Sequence, residues 1–280
     1  MIVKSIIVDR YKSDGGACFG VVPKTIWSKF YPSDEQNLIT LLTRILYIVD
    51  GDRKILIDSG MGRKRDVKFY KYKYILEDID LIEELNKINV KPEDITDIIF
   101  THLHDDHVGG ASYFKNSNNK IEPYFINAKY WVTKKQWNHA HNPNKREAAS
   151  YYVDNLDVLE NTGNVNFITA STFQFTENIL LEEKNGHTPG LLIAYLKYKE
   201  QTLVYTADFI PSFAHIPIPY LASYDIEPII VMEEKEKFLK KAVENNYILV
   251  FEHDPLFECC KVMDTERGFK NGEAQLISNL

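Results

Sequence analysis

The segment Thr101-His102-Leu103-His104-Asp105-Asp106-His107-Val108-Gly109-Gly110 packs three histidines and two aspartates into six residues. Imidazole and carboxylate together are the donors that zinc, manganese and iron sites use. Histidines at i and i+2 project to the same side of an extended segment, so His102 and His104 can share one cation, about 2.0–2.1 Å from each ring nitrogen. Where the chain turns onto a helix near Asp106, the pair Asp106 and His107 can face a second cation, and Gly109 with Gly110 permits close backbone approach. With 4 Met and 3 Cys against 8 His, a metal site in this chain must be built from imidazole and carboxylate.

Four ligands are too few for two sites, so the remainder must come from other strand ends, where a rigid scaffold hands over to a loop. Three isolated residues have that address. His187 lies in the turn-rich loop Asn185-Gly186-His187-Thr188-Pro189-Gly190, Asp208 follows the apolar run 203–206, and His253 follows the apolar run 247–251.

The elements that must position these residues are legible as hydrophobic periodicity. Segments 2–8, 18–22, 38–49 and 54–57 read as strands, the last two joined at Asp50-Gly51-Asp52, a hairpin signal. Asp78 is expected to cap a helix in which Leu81, Ile82, Leu85 and Ile88 recur at helical spacing, ending before Pro92. A short strand, 97–101, then delivers the chain to His102. Residues 128–159 read as helical around Trp131 and Trp137, broken at Pro143, and His139 and His141 read as surface helix residues. Strands return at 179–183, 191–198 and 202–206. An amphipathic helix over 233–246 buries Phe238, Leu239, Ala242 and Val243 and leads into the strand 247–251. No repeat and no Ser/Gly- or Pro-rich linker divides the chain, which implies a single domain over 1–280.

Composition bounds the rest. The 280 residues carry 33 Lys+Arg against 40 Asp+Glu, a formal charge of −7, which argues against a nucleic-acid-binding surface. No apolar run approaches the ~20 residues of a membrane span, and the amino-terminal stretch is too short and broken for a signal-peptide core. Three cysteines, two of them adjacent at Cys259 and Cys260, read as a reduced, cytoplasmic chain. Aromatic residues around Trp27 and Phe30 fit a homodimer surface, a pocket or core equally well.

The sequence resembles the metallo-β-lactamase-fold hydrolases, whose H-x-H-x-D-H signature is matched by His102, His104, Asp106 and His107. The G-H-T-P-G loop, the A-D turn and the E-H-D turn follow in family order and contribute His187, Asp208 and His253. Ile55-Leu56-Ile57-Asp58-Ser59-Gly60 also resembles the family's early strand ending in Asp-x-Gly. The resemblance implies an α/β fold, an αββα four-layer sandwich of two mixed β-sheets face to face with helices outside. It implies two divalent cations, zinc first with manganese or iron as alternatives. One would be held by His102, His104 and His187 and the other by Asp106, His107 and His253, with Asp208 bridging them and Asp58 orienting a ligand ring. Such a pair holds a shared hydroxide that attacks an ester carbonyl or phosphoryl centre, with Asp208 as proton acceptor and Asp106 and Asp208 as the catalytic carboxylates.

Within the superfamily, 15–24 and Ala207-Asp208-Phe209-Ile210-Pro211 look like the quorum-quenching lactonase and organophosphate-hydrolase branch. The implied substrate is a small lactone or related ester, with phosphotriesters and aryl esters as secondary substrates. Acyl-homoserine lactonases carry a tyrosine three positions after the bridging aspartate, and this chain has Pro211 there, leaving Tyr220 or Tyr224 as replacements. The irregular apolar loop 210–220 and the segment from Phe19 onward are expected to wall a pocket, with Phe19, Phe209, His215 and Tyr220 as substrate contacts, although His215 reads as structural first. An RNase Z-like nuclease and a mononuclear iron persulfide dioxygenase share much of the motif and stay open at this point. A non-catalytic module fits least, because none of the seven ligands is missing.

Overall fold

A computed structural model describes residues 1–115 and 120–280. The first half contains β1 (Ile2–Asp14), α1 (Gly15–Phe19), α2 (Lys24–Trp27), β2 (Leu38–Asp50), β3 (Arg53–Ile57), α3 (Val67–Tyr72), α4 (Leu81–Lys87), β4 (Asp97–Ile99) and α5 (Asp105–Val108). Then come β5 (Ser112–Lys115), β6 (Lys120–Pro123), β7 (Lys129–Thr133), α6 (Lys134–His141), α7 (Val153–Glu160) and β8 (Val165–Ile168). The remainder holds β9 (Thr172–Gln174), β10 (Ile179–Lys184), β11 (Leu191–Tyr198), β12 (Gln201–Tyr205), α8 (Pro228–Glu244), β13 (Ile248–Val250), β14 (Cys259–Thr265) and β15 (Gly268–Gln275). Among the described residues no helix is long and apolar enough to cross a membrane.

Backbone contacts group Met1–Arg10 with Thr43–Ala170 as one unit and Tyr11–Leu42 with Ser171–Leu280 as a second. The chain changes unit inside β1, inside β2 and just before β9, so no linker composition marks the crossings.

In the first unit the sheet order is β1-β2-β3-β4-β7-β8. The Asp50-Gly51-Asp52 hairpin forms as expected, pairing Asp50 with Arg53 in antiparallel β2 and β3. β3, β4, β7 and β8 run parallel, with Ile57 opposite Ile99 and Ile99 opposite Trp131. Ile45, Leu56, Ile98, Phe100, Phe125 and Tyr130 form its apolar core with Leu81 and Leu85 of α4. Each fully buried side chain of this kind contributes about 1.5–3 kcal/mol of transfer free energy.

In the second unit the order is β15-β14-β13-β12-β11-β10-β9, antiparallel except for the parallel pair β12 and β13. Phe238, Leu239 and Ala242 of α8 join Ile193, Val204, Leu249 and Phe251 in its core, the face its periodicity indicates.

Three sequence expectations are corrected. Residues 18–22 are not a strand: Asp14 accepts from Ala17 N at 2.7 Å and caps α1, and Gly20 at φ +55° ends it. The cap of α4 is Asp80, which accepts from Ile82 N at 2.8 Å and Glu83 N at 3.0 Å, while Asp78 pairs with Arg63 instead. Trp131 lies on strand β7, where β-branched and aromatic neighbours suit a central parallel position better than a helix. Of the readings open for Trp27, the structure shows the core one: it is 1% exposed and stacks on Phe19 at 5.5 Å. The β14–β15 hairpin carries no strand signal in the sequence, because its exposed, charged face hides the alternation.

Candidate metal centre

Parallel pairing decides which residues of the first unit share a sheet end. Because Ile57 and Ile99 are opposite, Asp58 and the segment from Phe100 onward leave their strands together, at the carboxyl ends where α/β sheets place ligands. Leu103 is buried in the unit's core, and the flanking His102 and His104 turn the other way, with His102 Nε2 2.9 Å from His104 Nδ1. His104 then stands at the N-cap position of the short helix α5 without a side-chain capping bond, and on that helix His107 Nε2 and Asp106 Oδ1 are 3.6 Å apart.

The backbone behind this segment is close-packed. Ser59 N donates to His107 O at 2.8 Å and Gly110 N to Gly60 O at 2.7 Å. A Cβ on Gly109 would stand 2.1 Å from Met61 O, and one on Gly110 2.0 Å from Ser59 O. Both glycines are therefore required by the approach that the sequence suggested.

In the second unit Tyr205 and Val250 are opposite in the parallel pair, so Asp208 and His253 emerge at one end of the sheet. The antiparallel register of β10 and β11, Lys184 opposite Leu191, puts the loop carrying His187 at that same end. Asp208 reaches both histidines. Its Oδ2 is 3.1 Å from His187 Nε2 and its Oδ1 is 2.8 Å from His253 Nε2. Glu252, fully buried, offers an oxygen within 4.8 Å of Asp208 and His253 ligand atoms.

The second nitrogen of each ring has its own partner. Asp58 Oδ2 lies 3.1 Å from His107 Nδ1 and also accepts from Thr101 Oγ1 at 2.6 Å. Since that hydroxyl gives its proton to Asp58, it can only accept from His102 Nδ1, 3.1 Å away. His104 Nε2 faces Glu147 Oε2 at 3.4 Å, His187 Nδ1 faces Asp225 Oδ1 at 2.8 Å, and His253 Nδ1 donates to Leu42 O at 2.6 Å. These acceptors leave Nε2 of His102, His107, His187 and His253, and Nδ1 of His104, as lone-pair donors. That set, with the carboxylates of Asp106 and Asp208, is the nitrogen and oxygen chemistry a zinc, manganese or iron ion takes. The donors fit divalent cations.

Electrostatics points the same way. Burial alone would lower the His187 pKa, but Asp208 and Asp225 push it up to about 10, so the carboxylates here call for positive charge. Burial raises Asp58 against the pull of His107 and Thr101. Burial would also raise Glu147, yet hydrogen bonds from His104 and His139 bring it down to about 2.

The expected substrate contacts sit differently. Phe19 has no exposed surface and stacks on Trp27, Tyr31 and His215, the last at 4.6 Å. Phe209 is 2% exposed and packs on Phe238 in the core of the second unit. His215 lies between Ser212 Oγ at 2.7 Å and the Cys18 carbonyl at 2.8 Å, and burial drags its pKa down to about 3. All three rings are buried and packed against other aromatic rings. Tyr220 gives its carbonyl to Lys235, whereas the Tyr224 ring stands edge-on to His187 at 6.0 Å. His141 is exposed as expected, but His139 is not a plain surface residue, since its Nε2 binds Glu147 Oε1 at 2.5 Å.

Glu147, Asp225 and Glu252 are the site residues that sequence reasoning missed. Glu252 adjoins His253 in the same strand-end turn and was within reach; Glu147 and Asp225 sit in charged or irregular stretches with no spacing signal.

A family model described as Metallo-beta-lactamase superfamily matches residues 40–253. The probable metallo-hydrolase YqjP of Bacillus subtilis (strain 168) is 34% identical over 85 residues, 29% of this chain and 23% of that protein, so the match spans under a quarter of that relative. A probable metal-dependent hydrolase from Staphylococcus aureus superposes with a TM-score of 0.87 at 27% identity over 98% of both chains. AidC, a dizinc quorum-quenching lactonase solved with a product, gives 0.79 at 21% identity over 98% of this chain and 95% of its own. The hydrolase AbOPH gives 0.77 at 19% over 98% and 94%. The last two share the fold.

Proposed function

Because the chain belongs to the metallo-beta-lactamase superfamily, we propose that it is a hydrolase using two divalent cations, zinc foremost, to open a lactone or related small ester. The observation that carries the reading is Asp208, one carboxylate with an oxygen on each of two imidazoles, His187 at 3.1 Å and His253 at 2.8 Å. A carboxylate so disposed suits a bridge between two cations rather than a ligand to one.

In this reading His102, His104 and His187 hold one cation, Asp106, His107 and His253 the other, and Asp208 is shared. Cations bound there lower the pKa of water and polarise a substrate carbonyl or phosphoryl oxygen. The chain's own residues supply the positioning. Asp58, Asp225 and the Leu42 carbonyl fix the rings of His107, His187 and His253. Asp208 takes the proton that the attacking water releases. The Asp106–His107 pair supports a two-cation site over a mononuclear iron centre, and the −7 charge supports a small substrate over nucleic acid.

The lactone assignment draws on the lactonase among the similar folds and on the apolar 210–220 loop. Metal analysis coupled to a panel of lactones, aryl esters and phosphotriesters tests it, with Asp106→Ala and Asp208→Ala as controls. Two equivalents of metal and lactone turnover that both substitutions abolish are expected. A protein that takes up no divalent metal, or variants that hydrolyse every ester as well as the parent, would sink it.

A further inference from the structure

Glu147 and His139 lie outside the ligand set, yet both bear on it. Glu147 is 5% exposed and sits in the turn between α6 and α7. Its Oε1 accepts from His139 Nε2 at 2.5 Å and Asn144 Nδ2 at 2.6 Å. Its Oε2 accepts from Tyr151 Oη at 3.3 Å and faces His104 Nε2 at 3.4 Å. The Tyr151 ring closes the arrangement, 4.8 Å from the His104 ring and inclined at 60° to it, its one hydroxyl proton shared between Glu147 Oε2 and Gln136 Oε1, the latter at 3.0 Å.

We infer that Glu147 is a positioning residue that fixes the tautomer of His104, holding the proton on Nε2 so that Nδ1 is turned beside His102 Nε2 as a ligand, with His139 clamping the carboxylate in place. The inference rests on the two-cation reading above. A neutral imidazole carries one proton, and a carboxylate can only accept, so the nitrogen facing Glu147 must be the protonated one. His104 differs here from the other four rings, which offer Nε2, and so it alone needs an acceptor on its Nε2 side. A carboxylate held by a single weak donor would swing between rotamers. His139 and Asn144 on Oε1 leave Oε2 aimed at His104. His139 thereby acquires a purpose that its position on an amphipathic helix conceals.

Outer partners of this kind are typically worth 10–100-fold in metal affinity. The test has two arms on the full chain. Zinc competition against a chromophoric chelator compares the parent with Glu147→Ala and His139→Ala. The expected result is that one of two zinc equivalents weakens 10–100-fold in Glu147→Ala and by less in His139→Ala, while the other equivalent keeps its affinity. The second arm reads the histidine tautomers of the parent chain, stripped of metal, by long-range nitrogen-15 correlation. His104 should carry its proton on Nε2. Parent-like affinity for both equivalents in Glu147→Ala, or a His104 protonated on Nδ1 in the parent, overturns the inference. If Glu147→Ala fails to fold, the tautomer measurement on the parent still decides. A parent that binds no zinc defeats the two-cation reading instead, and the two failures are thus told apart.

Discussion

Asp225 Oδ1 stands 2.8 Å from His187 Nδ1, although 38 residues separate them, and its other oxygen accepts from Ala222 N at 3.1 Å. The carboxylate is itself tied to the backbone, so it sets the ring's orientation and not only its proton. This is what turns Nε2 of His187 towards Asp208.

Asp225→Ala should therefore weaken metal binding 10–100-fold with little change in the fold, read by chelator competition alongside circular dichroism. Asp225→Asn keeps an acceptor oxygen and should lose less. Equal affinity in all three proteins would mean that the ring is held by something else.

Gly110→Ala places a methyl group 2.0 Å from Ser59 O, with backbone rather than a flexible side chain in the way. The overpacking should cost about 3 kcal/mol or prevent folding. Gly51 provides the contrast: it is at φ +61° with nothing within 4 Å, so alanine there should cost only about 1 kcal/mol of backbone strain. Urea unfolding of the two variants separates steric conflict from conformational preference.

Lys235 is fully buried on α8, donating to Pro217 O and Tyr220 O at 2.9 Å each, and burial pulls its pKa down to about 7 despite Asp225. In the unfolded chain a lysine titrates near 10.4. Between pH 7 and about 10 the unfolded state therefore binds more protons, and stability rises with pH, by up to about 1.4 kcal/mol per pH unit from this group. Lys235→Met should remove that slope. Lys64, brought to about 7 by burial, contributes a second slope of the same sign. Denaturant midpoints taken across pH 7–9.5 check both, and a parent whose stability is flat over that range would contradict the assignment.

Asp80→Ala should cost about 1 kcal/mol through loss of the α4 cap. Asp78→Ala, which removes an exposed partner of Arg63, should cost well under that. The order of the two unfolding midpoints is the measurement, and a larger loss at Asp78 would restore the cap expected from sequence.

The candidate ligand residues were legible because their types are costly to bury for any other reason. Three histidines beside two aspartates after a strand, and single His or Asp residues at three other strand ends, have no ordinary core role. What orients them was not legible. Asp225 reaches His187 across 38 residues and Glu147 reaches His104 across 43, and neither contact leaves a periodicity in the chain. Pocket and core could not be told apart in sequence for a related reason: Phe19, Phe209 and His215 are apolar or aromatic near a candidate ligand, and all three are buried among other rings. Strands went wrong where a capping residue overrode an apolar run, as at Asp14, and where an exposed face diluted the pattern, as in β15.

The division of the chain within β1 and β2 also bears on synthesis. Leu42, whose carbonyl receives the His253 proton, leaves the ribosome 211 residues before its partner. At about 5–20 residues per second that is an interval of ~10–40 s. Until Ser171 is reached, Tyr11–Leu42 belongs to a unit whose other strands do not yet exist. A nascent chain halted after Ala170 would hold the His102–His107 segment complete while Tyr31 and Leu42 still waited for Asp254 and His253. The order of translation thus makes the half of the molecule bearing His187, Asp208 and His253 the last to close.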